Sequence, residues 1–329
     1  MAKDHGALCR HWIVPPFSVL DARQGYWNRR KAAWRAMGIE AEAGRAEDLV
    51  WPSATADAGF YEAKRREEQR IGRQLTTAEF ERTYQRQRPG SSLFDPVLAE
   101  LAYRWFCPPG GHVLDPFAGE SVKGIVAAAC GCAYTGVELR REQVLANRRQ
   151  ARRLGLRSRW IVGDAARLDA LLPKRQRYDL VFTSPPYYDL ETYGGGRRDG
   201  SGLPTFPAFM EWLAHVLGQA AARLRDDRFL VLKVGEMRDR RGELRDFVGE
   251  TVRCLREIGL AYVNDAVLLT PLGSLPVRAG RAFAAGRKLG RCHQTVLVFY
   301  NGDPRHVGET FERTIENTDP PGPGKTPQG

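Results

Sequence analysis

From position 112 onward, short apolar runs alternate with longer stretches whose apolar positions recur at helical spacing. The runs begin at His112, Ala133, Arg159, Asp179, Arg228 and Ala261, and a last one spans Gln294 to Tyr300. Each is rich in Val, Ile, Leu or Phe and bounded by turn residues, as a strand buried on both faces should be. Helices are expected between them at Glu120 to Cys130, Arg140 to Arg153, Phe206 to Leu224 and Phe247 to Ile258. This alternation, closed by a final strand, predicts an α/β fold: a doubly wound, seven-stranded, mostly parallel sheet. In such a sheet ligands bind at the carboxyl ends of the strands.

Before position 92 the pattern is weaker. Pro15 to Asp21 predicts a short extended segment, and Gln24 to Trp34 a helix with Trp27 and Trp34 one heptad apart on one face. That stripe predicts packing on the main domain; the competing reading has Trp27, Arg29, Arg30 and Lys31 touching nucleic acid. Residues 60–88, rich in Arg, Glu and Gln, predict a solvated helix that orders on binding. Ser92 opens a helix that carries Leu101 and Trp105 and stops at Cys107-Pro-Pro-Gly-Gly111. The organisation is thus a partly helical N-terminal extension over 1–91, a main domain over 92–302, and a disordered tail of Pro, Gly and polar residues over 303–329.

The strand ends carry the chemistry. Three successive strands end in acids, Asp115, Glu138 and Asp164, at the repeat length of a βα unit. One strand-end acid is unremarkable, because acids cap the helices that follow; three in register converge on one edge of the sheet. The strand Asp179 to Phe182 halts at Thr183-Ser184-Pro185-Pro186-Tyr187, where two prolines end the ladder by removing donors and fixing φ. The Ser184 hydroxyl, neighbouring carbonyls and the rings of Tyr187 and Tyr188 are left at the strand end. A rigid group of acceptors beside a flat stacking surface suits an aromatic base carrying an exocyclic amine.

Ser184-Pro185-Pro186-Tyr187, preceded by Asp115-Pro-Phe-Ala-Gly119, resembles the motifs of the S-adenosylmethionine-dependent DNA amino-methyltransferases, cytosine-N4 and adenine-N6 types, including phage-type orphan methylases. The resemblance covers about 92–300. It implies a class I, Rossmann-like methyltransferase domain, S-adenosylmethionine as cofactor, and double-stranded DNA as partner with the target base flipped out. It further implies that Ser184 and the Pro185 carbonyl hold the amine, with Pro186 shaping the turn and Tyr187 stacking on the base. On the cofactor side, Asp115 would take the methionine amino group, Gly119 would admit the ligand to the backbone, and Phe117, Phe94 and Thr183 would line the pocket. Glu138 would accept both ribose hydroxyls and Asp164 the adenine amine. Many relatives continue Gly-Ser-Gly; here the turn is Gly119-Glu120-Ser121, and Glu120 has no counterpart role.

Charge sharpens the partner. The net charge of +11 favours a polyanion. Only about twenty residues separate Asp164 from Ser184, so target contacts must come from the 189–205 loop, the 272–293 loop or the N-terminal region. The first loop carries Arg197 and Arg198 among glycines; the second carries Arg278, Arg281, Arg287 and Lys288 with no acid, a composition for phosphates. The arginines at 140, 141, 148, 149, 152 and 153 lie on a crossover helix and predict a solvated face. Six cysteines without a CxxC pair read as reduced thiols, with no metal site and a cytoplasmic setting. No apolar run approaches a membrane span, so no membrane association is expected. Serine at 184 is, within the family, more usual for cytosine N4 than adenine N6. RNA or protein-glutamine methylation and a non-catalytic DNA-binding module are the alternatives; monomer and homodimer both stay open, and neither a target sequence nor a restriction-modification partner is legible.

Overall fold

A computed structural model describes residues 6–40, 58–75, 79–80, 94–188, 198–200, 202–273, 275–311, 315 and 320. The strands are β1 (Val19–Asp21), β2 (His112–Asp115), β3 (Ala133–Glu138), β4 (Arg159–Val162), β5 (Tyr178–Thr183), β6 (Leu224–Val234), β7 (Ala261–Leu269) and β8 (His293–Asn301). They form one sheet in the order β1-β7-β8-β6-β5-β2-β3-β4. β8 alone runs against its neighbours, antiparallel to β6 and to β7. From β2 the chain winds outward through β3 to β4, then returns to lay β5 on the other side of β2. The reversal between β2 and β5 is the switch point at which such sheets open a ligand crevice.

Helices cover both faces: α1 (Ala7–Trp12), α2 (Gly25–Ala36), α3 (Ala58–Ile71), α4 (Pro96–Phe106), α5 (Val122–Ala129), α6 (Arg141–Arg153), α7 (Leu168–Leu171), α8 (Phe206–Ala221), α9 (Phe247–Glu257), α10 (Leu275–Gly286) and α11 (Val307–Thr310). All six residues of β5 are buried, so its sequence is a continuous apolar run apart from Asp179 at its start and Thr183 at its end. Close layering relies on missing side chains. A Cβ at Gly124 of α5 would lie 2.4 Å from the Trp160 ring, and one at Gly136 of β3 would lie 2.8 Å from Ala118.

The sheet has eight strands, where the sequence predicts seven. The added strand, β1, comes from the N-terminal extension and pairs in parallel with β7, Leu20 opposite Leu268. Three residues with one buried side chain are too weak a pattern to announce a strand; β7 supplies the ladder. The extension is fastened further by α2. Trp27 and Trp34 are fully buried, and their indole N–H groups donate to Asp95 (3.2 Å) and Glu100 (2.8 Å). Arg30 grips the same Glu100 and Lys31 the same Asp95, at 2.7 and 2.8 Å. Asp95 also caps α4 by accepting from the Val97 amide.

Three other boundaries move. The β6 strand begins at Leu224, earlier than Arg228, because the chain leaves α8 directly into pairing and absorbs an irregularity opposite Tyr178 and Leu180. Within the 272–293 segment, expected as loop, Leu275–Gly286 is helical; Pro276 in its first turn and alanines at 279, 282, 284 and 285 favour a helix. At the other end, Pro304–His306 and α11 continue the fold beyond 302, and the Phe311 ring packs 5.0 Å from Phe229. Among the described residues, no helix is long and apolar enough to cross a membrane.

Glu100 is the buried joint between extension and domain, with 1% exposure. Truncating one partner of such a pair leaves the other charge buried and uncompensated, so Glu100→Ala should cost about 3 kcal/mol. Denaturant unfolding measures the loss, and limited proteolysis should show earlier cleavage within 6–40.

Candidate active site

A cavity of about 700 Å³ opens at the carboxyl ends of the central strands. Its walls come from the turn after β2, the end of β3, the Ser-Pro-Pro-Tyr turn after β5, the end of β6, and the start of β8. Residues as far apart in sequence as Ala22 and Gln294 therefore face one space, because every parallel strand delivers its C-terminus, and the reversed β8 its start, to the same edge.

On the β2–β3 side the backbone bends at Gly119, whose φ of +56° favours glycine. Its N–H donates to Glu138 Oε2 (3.1 Å), and its carbonyl accepts from Asn147 Nδ2 (2.8 Å). The other Glu138 oxygen accepts from the Arg140 amide at 2.8 Å. Burial pushes the Glu138 carboxyl above the ordinary carboxylate range, against the opposing pull of the Arg140 amide and guanidinium and of the Gly119 amide. A carboxylate has about four lone-pair directions, so two amide donors leave each oxygen able to accept once more. Glu138, Gly119, Phe117 and Phe94 all line the cavity.

Asp115 occupies a different place from the one expected of it. It has no exposure and is absent from the cavity wall. Its carboxylate accepts from the hydroxyls of Tyr134 (2.8 Å) and Thr183 (2.6 Å) and from the Phe117 amide (3.2 Å), and pairs with Lys123 Nζ at 2.6 Å. Four donors saturate it beneath the floor, and Thr183 is equally enclosed. The carboxylate that does reach the wall from this turn is Glu120, whose Oε1 accepts from the Phe94 amide at 3.0 Å. Asp164 accepts from the Ala166 amide at 2.9 Å as a helix cap, while its neighbours Gly163 and Ala165 form the wall.

On the β5–β6 side Ser184, Pro185, Pro186 and Tyr187 all line the cavity. The Ser184 hydroxyl donates to the Lys233 carbonyl at 3.0 Å, which commits its proton and leaves its oxygen as an acceptor. The Tyr187 hydroxyl accepts from Gln294 Nε2 at 3.0 Å, and its ring meets Phe247 edge-on at 6.2 Å. Tyr188 turns the other way: its ring is buried against Phe209 and Phe206, with the Arg245 guanidinium 5.0 Å above it.

The basic residues divide. Arg278 and Arg198 lie on the cavity wall, whereas Arg281, Arg287 and Lys288 do not. The Arg287 guanidinium sits 5.1 Å over the Phe283 ring, and Lys288 lies so close to Gly242 that a Cβ there would be 2.3 Å from Nζ. Arg197 falls outside the described residues. Helix α10 has no buried residue. Several wall residues escaped sequence reasoning: Lys123, Lys233, Trp212, Glu236 and Gln294. Trp212 stacks obliquely on Phe117 at 5.5 Å, yet on an amphipathic helix it reads as core. Arginines dominate the sequence of α6, but its buried amides at Gln143, Asn147 and Gln150 brace the glycine turn.

No protein-family model matches the chain, and no curated protein matches it in sequence. Among solved structures, TrmN from Thermus thermophilus aligns at 19% identity and a TM-score of 0.42, over 63% of this chain and 49% of that one. The chain thus spans about half the length of that protein. A methyltransferase from Pyrococcus furiosus aligns at 15% identity and a TM-score of 0.44, over 74% of this chain and 100% of the other. The T. thermophilus 16S rRNA N2 G1207 methyltransferase RsmC, solved with AdoMet and guanosine, aligns at 19% identity and a TM-score of 0.37, over 59% and 38%. Likeness at this level concerns overall fold and does not speak to substrate.

Gly235, at the end of β6, makes room for Tyr187. A Cβ there would lie 2.8 Å from the Tyr187 hydroxyl but 3.5 Å from the nearest ring carbons. Gly235→Ala should therefore destabilise the protein by about 1–2 kcal/mol, and Tyr187→Phe should relieve most of that penalty. A double-mutant cycle in denaturant measures the coupling.

Proposed function

We propose that the protein transfers a methyl group from S-adenosylmethionine to the exocyclic amine of a flipped base in duplex DNA, cytosine N4 ahead of adenine N6. The observation that carries this reading is the shared cavity, which has Ser184–Tyr187 on one wall and Gly119 with Glu138 on the other. When bound, the cofactor would supply an activated methyl on a sulfonium. Glu138 would hold its ribose hydroxyls, while Phe94 and Phe117 would give apolar contact.

The chain's task at the amine is orientation. A base amine is a weak nucleophile because its lone pair is delocalised into the ring. Ser184 Oγ and the Pro185 carbonyl would accept its two N–H bonds and turn the lone pair out of the ring plane, with Tyr187 stacked on the base. The amine nitrogen would take the methyl as its bond to the cofactor's sulfur is released with the electron pair kept on sulfur, and the cationic nitrogen would then give its proton to solvent. No covalent link to the protein is required. Serine, whose proton is already committed to Lys233, serves as an acceptor and is a poor base.

Duplex DNA is favoured by the net charge of +11 and by α10. That helix carries Arg278 and Arg281, stands exposed beside the cavity mouth, and sits in a stretch free of acids from 266 to 302. Such a surface suits phosphates.

Radiolabelled methyl transfer to DNA, RNA and protein, compared side by side, tests the substrate class; absence of label in DNA would sink the DNA reading, and mass analysis of nucleosides separates the two bases. Ser184→Ala should lower turnover about 100-fold while cofactor affinity stays within about threefold. Replacing Arg278 and Arg281 with Ala should flatten the slope of log K against log salt by roughly 0.9 per lost phosphate contact; an unchanged slope would put the DNA elsewhere.

A further inference from the structure

Four exposed large apolar side chains, Leu272, Val277, Phe283 and Leu289, fall in or beside α10, within the stretch from 266 to 302 that holds no acid. Single exposed apolar residues are ordinary on a protein surface, but an apolar cluster rimmed by charge marks an interaction site. Leu289 stands out, at 77% the most exposed large apolar residue among the described residues. It lies in the turn that follows α10, and its neighbours on both sides are held. Arg287 takes a φ of +51°, uncommon for a residue with a side chain, and its guanidinium covers the Phe283 ring. Lys288 lies against Gly242, and Gly290 packs so closely on α10 that a Cβ there would overlap the Leu275 side chain. The turn is thus fixed on either side of a leucine that is itself left in water. Arg291, two residues further on, lines the cavity.

We propose that Leu289 enters the base stack of duplex DNA as an apolar wedge, covering the face of the base pair that is exposed when the target base leaves. The wedge rests on the duplex-DNA reading above. Charge selects the partner: Arg287, Lys288 and Arg291 surround the leucine and no acid offsets them, which suits a polyanion. Phosphate contact alone accounts for the cations and leaves the exposed leucine without a role, whereas a base step beside its phosphates accounts for both. Reach agrees with this. Two residues of extended chain span at most about 7 Å, so Leu289 stands within about two base-pair steps, at about 3.4 Å each, of the Arg291 backbone beside the cavity. Extruding a base costs stacking, and burial of the leucine offsets part of that cost by removing apolar surface from water.

The test separates opening of the stack from contact with phosphates. The full chain is first given amplified, unmethylated DNA and labelled S-adenosylmethionine, and the modified site is located by sequencing. Two oligonucleotide duplexes are then built on that site, one fully paired and one in which the base opposite the target is a mismatch, so that the target is already loosely stacked. Leu289→Ser should lower kcat/KM on the paired duplex by roughly ten- to a hundredfold, the equivalent of burying one leucine, and on the mismatched duplex by less than about threefold. Leu289→Met, which keeps an apolar arm of similar length, should stay within about threefold of the wild type on both. Equal losses on the two duplexes would mean a contact unrelated to base extrusion and would overturn the wedge, as would full activity of Leu289→Ser on the paired duplex; the duplex-DNA reading would survive either result. If the wild type places no label in duplex DNA, that reading falls and the wedge falls with it.

Discussion

The buried Asp115 carboxylate ties together the point on which the whole arrangement turns. Its partners come from four elements: Tyr134 on β3, Thr183 at the end of β5, Lys123 on α5 and Phe117 in the turn. A fully enclosed charge is tolerable only when paired and hydrogen-bonded, and here both conditions are met. Because each donor belongs to a different element, satisfying the charge also sets where β3, β5 and α5 stand around the end of β2. The crevice above is the space these constraints leave.

Around that anchor the cavity is braced by polar groups that themselves are held. Gly119 is clasped between Glu138 and Asn147, and Asn147 is held in turn by Gln143, which Arg140 also contacts. A chain of amides on the inner face of α6 thus holds the turn at Gly119, whose positive φ only glycine adopts readily. On the opposite wall, Tyr187 is fixed at its ring by Phe247 and at its hydroxyl by Gln294. A ring held at both ends keeps its face in position, which is what stacking on a flat ligand requires. The outer surface follows another rule: α10 stands exposed and carries Arg278 and Arg281 with no acid, suited to contacts that need charge more than shape.

The N-terminal extension belongs to the same structure. Its strand extends the sheet at β7, and α2 buries two tryptophans against α4 through Asp95 and Glu100. Lys31 and Ala22 even reach the cavity wall. The aromatic stripe therefore works as a fastening, and its arginine and lysine neighbours are partly consumed by the same two acids.

Much of this was legible in the chain itself. Strand–helix alternation and the stop at Pro185-Pro186 follow from local patterning, since burial on both faces and loss of amide donors leave direct marks on residue type, whereas the reversal of the last strand is implied by the family resemblance alone. That motif-bearing strand ends meet at one edge follows from parallel topology alone. What the sequence could not reveal is which polar side chains face the cavity and which are spent beneath it. Asp115, Glu138 and Asp164 look alike as strand-end acids, yet one is a saturated buried anchor, one lines the wall and one caps a helical turn. Lys123 and Lys233 carried no signal, and Glu120 stood out only as a departure from the family's turn, because a side chain's role at such an edge depends on which donors other elements bring within reach. Only tertiary packing decides that, through hydrogen-bond partners drawn from distant parts of the chain.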